Sequence, residues 1–360
     1  MCKAWGGLLI ALALWTAPAR AEPTVSILPL GFAVEEFRGP ESYFSRTLPT
    51  SPGLPEKLAP DTPLVAVWGA GGGAALHLDK GDLRQVRWPA GGEPVPEAPR
   101  TAVPGTRMQS AGPLTVFFTE PRAGYGVFGR IDAAGRLTIM EKQPLAGVST
   151  DARAVPTKVS TIESGPDAVF EDVEPRLADL DRDGTPEILV VKAYRDKGPA
   201  LAVIGKRDGA WSMLAETPPA GEPRSWLAPA AAAAFEGNGK PGIALVRTPH
   251  VQGMLQLWSF DGGKLALRHE AVGYANHVFG SAALDNAAAI HVEGDGRPGL
   301  AIPTQDRKAL AILSLRDGIR EVARVPLPAP AGRGLAALGQ GKGTHIVVAL
   351  EDGRVVVVRP

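Results

Sequence analysis

The sequence predicts an all-β chain, a β-propeller of about six or seven four-stranded blades. Three observations predict it. A Gly-centred turn followed by an apolar, β-branched run recurs at Gly184, Gly239, Gly296 and Gly341, with spacings of 55, 57 and 45 residues. Asp-Gly turns separate the apolar runs that follow, and this is a hairpin signal. Helical periodicity is nearly absent, whereas Gly (43) and Pro (34) are abundant in the 360 residues.

Residues 1–21 read as a secretory signal peptide. Lys3 supplies the positive start, Leu8–Trp15 the apolar stretch, and Ala19-Arg20-Ala21 the cleavage site. The apolar stretch is shorter than the roughly 20 residues a membrane span needs. Cleavage leaves 36 basic and 38 acidic side chains and no cysteine, because the single cysteine is Cys2. Disulfides and Cys-based zinc sites are thereby excluded. Near-neutral charge argues against nucleic acid as a partner. No later run of 18 apolar residues exists, so the mature chain has no expected span. The expected location is periplasmic or secreted, with residues 22–360 forming one propeller domain.

Thr24–Leu28 is a candidate strand that completes the last blade and hides two edges. Leu64–Trp68, Ala74–Leu78 and Leu83–Arg87 form a first faint unit around a Lys80-Gly81-Asp82 turn. Leu114–Phe118, Tyr125–Ile131 and Leu137–Met140 form a second, with a turn at Asp132–Gly135. Residues 89–105 and 142–166 are Pro/Gly-rich or weakly patterned and read as loops. The stretch 142–180 is long enough to hold a degenerate seventh blade. The clear units follow, with second strands at Leu201–Ile204, Leu255–Phe260 and Leu310–Leu315. Their third strands are Trp211–Leu214, Lys264–Leu267 and Ile319–Val322. Ala230–Phe235 is apolar all round and follows Pro229, so it reads as a strand or a small inner turn. Ile346–Leu350 and Val355–Val358 bracket the Asp352-Gly353 turn. Two packed β-sandwiches and a β-helix are the competing architectures.

The strongest chemical motif is Asp179-Leu-Asp181-Arg-Asp183-Gly184-Thr185-Pro-Glu187. Alternating carboxylates can bend around a hard cation, and such oxygen ligands suit calcium. The Thr185 carbonyl adds one more. An EF-hand would need its bidentate Glu at Val190, so this loop closes differently. It resembles the FG-GAP/VCBS repeat of integrin-like β-propellers, whose pattern is close to D-x-D-x-D-G-x-x-D/E before an apolar strand. The resemblance covers residues 177–350 in recurring form. It implies a calcium cofactor held by Asp179, Asp181, Asp183 and Glu187. Later copies depart from it: Ala234 and Gly242 replace the outer acids beside Glu236 and Asn238. His291 and Gly299 do so beside Glu293 and Asp295. Only the first loop is expected to bind well.

Residues just after the repeated strand fall at equivalent places: Arg195, then Arg247 and His250, then Arg307. A second set precedes each repeated turn, including Arg224, Trp226, Asn276 and His277. If both converge, Arg forks suit carboxylates or phosphates and aromatic faces suit sugars. The alternative is that these residues tie blades together. No G-x-S-x-G, H-E-x-x-H or P-loop occurs, so no catalytic constellation stands out. The reading is an exported, calcium-stabilised, non-catalytic binding or interaction module for a saccharide, an envelope polymer or a protein. A polysaccharide hydrolase or lyase using His250 and His277, and a structural or assembly scaffold, are the alternatives.

Overall fold

The computed structural model describes residues 23–90, 95–123, 132–143, 156–222, 225–291 and 296–360. Residues 1–21, expected to be a signal peptide, and Tyr125–Ile131, Arg224, Glu293 and Asp295 lie outside the described residues. Strands dominate. They form five antiparallel sheets, four of four strands and one of nine.

The first unit is β2 (Glu36–Arg38), β3 (Leu64–Gly69), β4 (Gly72–Asp79) and β5 (Asp82–Trp88), with β1 (Thr24–Leu28) ahead of it. The nine-stranded sheet contains two such meanders. One is β6 (Gln109–Ala111), β7 (Leu114–Arg122), β8 (Ala133–Lys142) and β9 (Thr157–Glu163). The other is β11 (Arg176–Ala178), β12 (Glu187–Tyr194), β13 (Gly198–Arg207) and β14 (Ala210–Glu216), and β10 (Ala168–Phe170) pairs with both β8 and β12. The fourth unit is β15 (Leu227–Ala233), β16 (Gly242–Arg247), β17 (Met254–Asp261) and β18 (Lys264–Ala271). The fifth is β19 (Ala288–Ile290), β20 (Gly299–Pro303), β21 (Ala309–Ser314) and β22 (Arg320–Pro326). The last is β23 (Ala331–Leu338), β24 (His345–Leu350) and β25 (Val355–Arg359), to which β1 adds as fourth strand.

The repeated apolar run is the second strand of its unit. It is buried on both faces because a neighbouring unit packs on each side, so it is continuously apolar rather than alternating. Leu189, Val191 and Leu201 meet Ile243, Leu245 and Trp258 of the next unit. Val246 and Leu257 meet Leu300 and Ile302, and Leu310 and Ile312 meet Ile346 and Val348. Val347 and Ala349 meet Val65, Val67 and Phe37, so the sixth unit packs on the first. The first and second units meet differently. Residues of helix α1 (Tyr43–Thr47) and the following turn, Phe44 and Leu48, cover Trp68 and Trp88. Arg46 of α1 reaches Gln109 at 3.3 Å. A Cβ on Gly334 would lie 2.1 Å from the Phe37 ring, so glycine is what lets the last unit seat against the first.

Most expected strands are present, and β1 pairs with β25 in register Thr24↔Arg359 to Leu28↔Val355, as the N-terminal strand was expected to do. Ala230–Phe235 lies mainly in β15, where a register shift follows Pro229. That proline therefore ends the regular ladder instead of the strand. Two expectations are overturned. Residues 142–166 are not all loop, because Thr157–Glu163 forms β9 and pairs with β8. Asp132–Gly135 is not a hairpin turn; β8 begins at Ala133 and pairs directly with β7. Gly135 serves a close approach there, since a Cβ would fall 2.3 Å from the Arg122 side chain. No seventh unit occurs in 156–180 among the described residues. That stretch supplies β9, β10 and β11.

The first strands of the units face a common centre, where β2 and β19 each pack against β23, β6 against β11, and β15 against β19. Residues 272–287, between β18 and β19, cross this centre. Asn276 Nδ2 donates to the Ala228 and Pro229 carbonyls, each at 3.1 Å. Arg107 donates to the Ala282 carbonyl at 3.2 Å, and Gly39 N to Asp285 Oδ2 at 3.4 Å. Leu335 N donates to the Asp285 carbonyl. The segment thus touches the first, second and last units besides the fourth and fifth, which it connects, and it works as a strap across the centre.

Candidate functional site

The acidic loop joins β11 to β12. Each carboxylate is oriented by a backbone amide: Gly184 N to Asp179 Oδ2 at 3.2 Å, Asp183 N to Asp181 Oδ1 at 3.1 Å, and Leu180 N to Glu187 Oε2 at 2.8 Å. Arg182 at φ 68° and Gly184 at φ 87° make the bend. One oxygen from each of Asp179, Asp181 and Glu187 lies within 4.8 Å of the others. Asp183 falls outside that group, with its Oδ1 accepting from Thr185 N at 2.6 Å. Burial pushes the Glu187 carboxyl up to about 7, and the Asp181 and Asp183 charges add to it. Asp179 Oδ1 is buried and accepts no hydrogen bond. An oriented, crowded carboxylate group with an unused buried oxygen fits a hard divalent cation.

In an up-and-down unit, the loop between first and second strands lies at one end. The loop between second and third strands and the crossover to the next unit lie at the other. The acidic loop is therefore at one end of the strands, and the second candidate group is at the opposite end.

That second group partly converges. The Trp226 and His277 rings stack at 4.5 Å between centroids, and His250 meets His277 edge-on at 5.1 Å. His250 Nε2 and His277 Nδ1 are 2.9 Å apart, and His277 Nε2 lies 2.9 Å from the Ser281 carbonyl. A carbonyl only accepts, so His277 carries its proton on Nε2 and His250 donates to His277 Nδ1. Burial holds His277 down to about 3, assisted by the charges of His250 and Arg176. Burial and Arg307 also lower His250. Above them Phe279 packs edge-on against His250 at 5.5 Å and is 78% exposed. Val251 and Val272, on the adjoining loops, are exposed as well.

Three of the other expected residues, Arg247, Asn276 and Arg307, make side-chain ties within the fold. Arg247 donates to the Ala220 carbonyl. Asn276 is buried against β15. Arg307 binds the Ala331 carbonyl at 3.0 Å and pairs with Glu351 of the next unit. Arg195 is exposed, and its backbone N–H donates to the Asp167 carbonyl.

Sequence reasoning missed the charged centre. Arg107 pairs with Glu174 at 3.2 Å and Arg176 with Asp172 at 2.7 Å, and Arg38 pairs with Glu97 and Glu36. Burial, with Asp285 adding, holds the Glu174 carboxyl above its ordinary range, against the pull of Arg107. The run Glu171-Asp172-Val173-Glu174-Pro175-Arg176 was the available signal: a dense charge cluster directly ahead of the repeated turn.

Fold and sites together define an all-β, propeller-like protein of repeated four-stranded units. No family model matches the chain, and no curated protein matches it. Similar solved structures include the N-terminal domain of Nup159, at 11% identity, with 82% of this chain and 72% of that one covered and a TM-score of 0.39. A protein from Lactobacillus plantarum is 14% identical over 80% of this chain and 75% of that one, with a TM-score of 0.41. The WD40 domain of SCAP from fission yeast is 9% identical over 92% of this chain and 68% of that one, with a TM-score of 0.38. Nothing about ligand or partner follows from likenesses of this strength. Among the described residues, no helix is long and apolar enough to cross a membrane.

Proposed function

We propose that this chain is a closed, six-bladed β-propeller of the FG-GAP/VCBS kind, exported from the cytoplasm, that works as a non-catalytic interaction module. Its docking face is the strand end that carries Phe279, and its preferred partner is a protein. Calcium at Asp179, Asp181 and Glu187 stiffens the opposite end of the third blade.

One observation carries the reading. Three of the exposed large apolar side chains, Val251, Val272 and Phe279, sit on adjoining loops, and Phe279 packs on His250, which meets the buried Trp226–His277 stack. A rigid base under an exposed aromatic is the anatomy of a protein-binding hot spot. A saccharide site would present its aromatic face with unsatisfied polar groups around it. Here His250 and His277 are committed to each other and to Ser281. His277, engaged on both nitrogens, is unavailable for acid–base work, so a hydrolase or lyase would have to rely on His250 Nδ1 alone.

The test is site-specific photo-crosslinking from position 279 in the cells that make the protein, with position 208 at the opposite strand end as control. A discrete protein adduct from 279 only, abolished by Val251→Asp, is expected. In parallel, the thermal melt is followed with a panel of sugars and envelope polymers. A ligand at a hundred times its dissociation constant adds about 2.7 kcal/mol. A sugar-dependent rise without any adduct would overturn the protein-partner reading.

A further inference from the structure

We infer that the strap formed by residues 272–287 is held down by an acid-releasable latch, the hydrogen bond from His250 to His277. The geometry carries the inference. His277 is 2% exposed, and both its nitrogens are engaged, one donating to Ser281 and one accepting from His250. A first proton on His250 Nδ1 leaves that bond made. With that proton in place, a second one on His277 Nδ1 sets donor against donor at 2.9 Å and cannot be accommodated while the strap is down.

The surroundings do not rescue the charged form. His277 faces His250 from the β16–β17 loop, Trp226 from the β14–β15 connection, and the Arg176 charge from β11. Arg307, from the β20–β21 loop, acts on His250. The nearby carboxylates Asp172 and Glu174 are paired with Arg176 and Arg107, and Asp285 is engaged by Gly39.

The strap is also poised to lift. The side-chain oxygens Asn276 Oδ1 and Asn286 Oδ1 are buried and accept no hydrogen bond, and such groups oppose burial. Gly273 at φ 104° and Gly280 at φ 76° are pivots within it.

The direction follows from linkage. His277 binds its proton more weakly when latched than its ordinary value of 6.5, at about 3. The latch is therefore at full strength above pH 6.5 and weakens as pH falls toward 3. Each pH unit in that window favours the lifted state by up to about tenfold, or about a hundredfold at pH 4.5. Lifting would move Phe279 and uncover Trp226. Loss of docking in acid rests on the function proposed above, whereas the latch itself does not.

Hydrogen exchange of the intact chain at pH 7 and pH 4.5, corrected for intrinsic rates, tests this without any partner. Amides of 275–286 are expected to exchange about a hundredfold faster at pH 4.5, while those of β12 and β20 change less than about threefold. In His277→Gln the strap amides lose this pH dependence, whether the strap sits down or up. A strap that follows the rest of the chain in the wild type would overturn the latch, and so would a dependence that survives His277→Gln. If Phe279 fails to crosslink while the strap still responds to acid, the docking reading fails and the latch stands.

Discussion

Removing Arg107 should destabilise the protein in a way that depends on pH and is relieved by a second substitution. Arg107 and Glu174 form an ion pair at 3.2 Å, with side chains only 6% and 5% exposed. Deleting one partner of a buried pair costs about 3–5 kcal/mol, because the other charge stays buried, whereas replacing both by apolar groups is near neutral. Unfolding entropy is about 2.1 cal/mol/K per residue, or about 0.7 kcal/mol/K for the roughly 340 residues from 22 to 360. Arg107→Met should then lower Tm by about 4–7 °C at pH 8. Glu174 already has a raised folded value, from burial first and then Asp285. Loss of Arg107 raises it further. A raised carboxyl is neutral and tolerated at low pH, and its penalty appears as pH rises through the folded value. The Arg107→Met penalty should therefore shrink to about 1–2 kcal/mol at pH 5, where the lost bond to Ala282 remains. The double variant Arg107→Met, Glu174→Leu should regain most of the loss at pH 8, with a coupling energy of about 2 kcal/mol or more. Urea and thermal melts of the four proteins at both pH values provide the cycle. Additive single effects, or a penalty that is larger at pH 5, would refute the reasoning.

Three further outcomes are expected. Calcium at a hundred times its dissociation constant should raise Tm by about 4 °C, converting about 2.7 kcal/mol by the same entropy. Asp181→Asn should abolish that rise, and Asp183→Asn should keep at least half of it, because Asp183 is bound to Thr185 and stands apart from the other three. Gly334→Ala drives a methyl into Phe37 and should cost about 1–3 kcal/mol, read as a melt lowered by about 1–4 °C. Phe279→Ser should leave Tm unchanged within about 1 °C, since the ring is mostly exposed, while it removes the crosslinked adduct.

What could be read from the sequence follows from where each residue's partners are. Second strands such as Ile188–Val191 and Leu300–Ile302 are packed on both sides, so their patterning is local and strong. Turn glycines such as Gly184 and Gly239 sit at positive φ, which marks them equally well. The short strands β2, β10 and β11 have three residues each, too few to show a period. The centre was hidden for a different reason. Arg107 and Asp285 are remote in sequence from the partners that give them a role, and nothing beside them signals it. Trp226, His250 and His277 were found because they recur at equivalent loop positions. Their mutual commitment was invisible, since a hydrogen bond between two histidines leaves no trace in spacing.

The pairing of β1 with β25 sets an order of events. β1 must wait for residues 355–359, which are made far later in the chain, before it has a partner. Until the two strands meet, Val25 and Ile27 present one uncovered edge, and Val355–Val358, which end almost fully buried, present another. Two unpaired apolar edges on one unfinished chain are an invitation to join with a second chain. Crowded synthesis should therefore favour exchanged dimers, in which the first strand of one molecule completes the last sheet of its neighbour. An insertion that slows the meeting of β1 with β25 should enrich them.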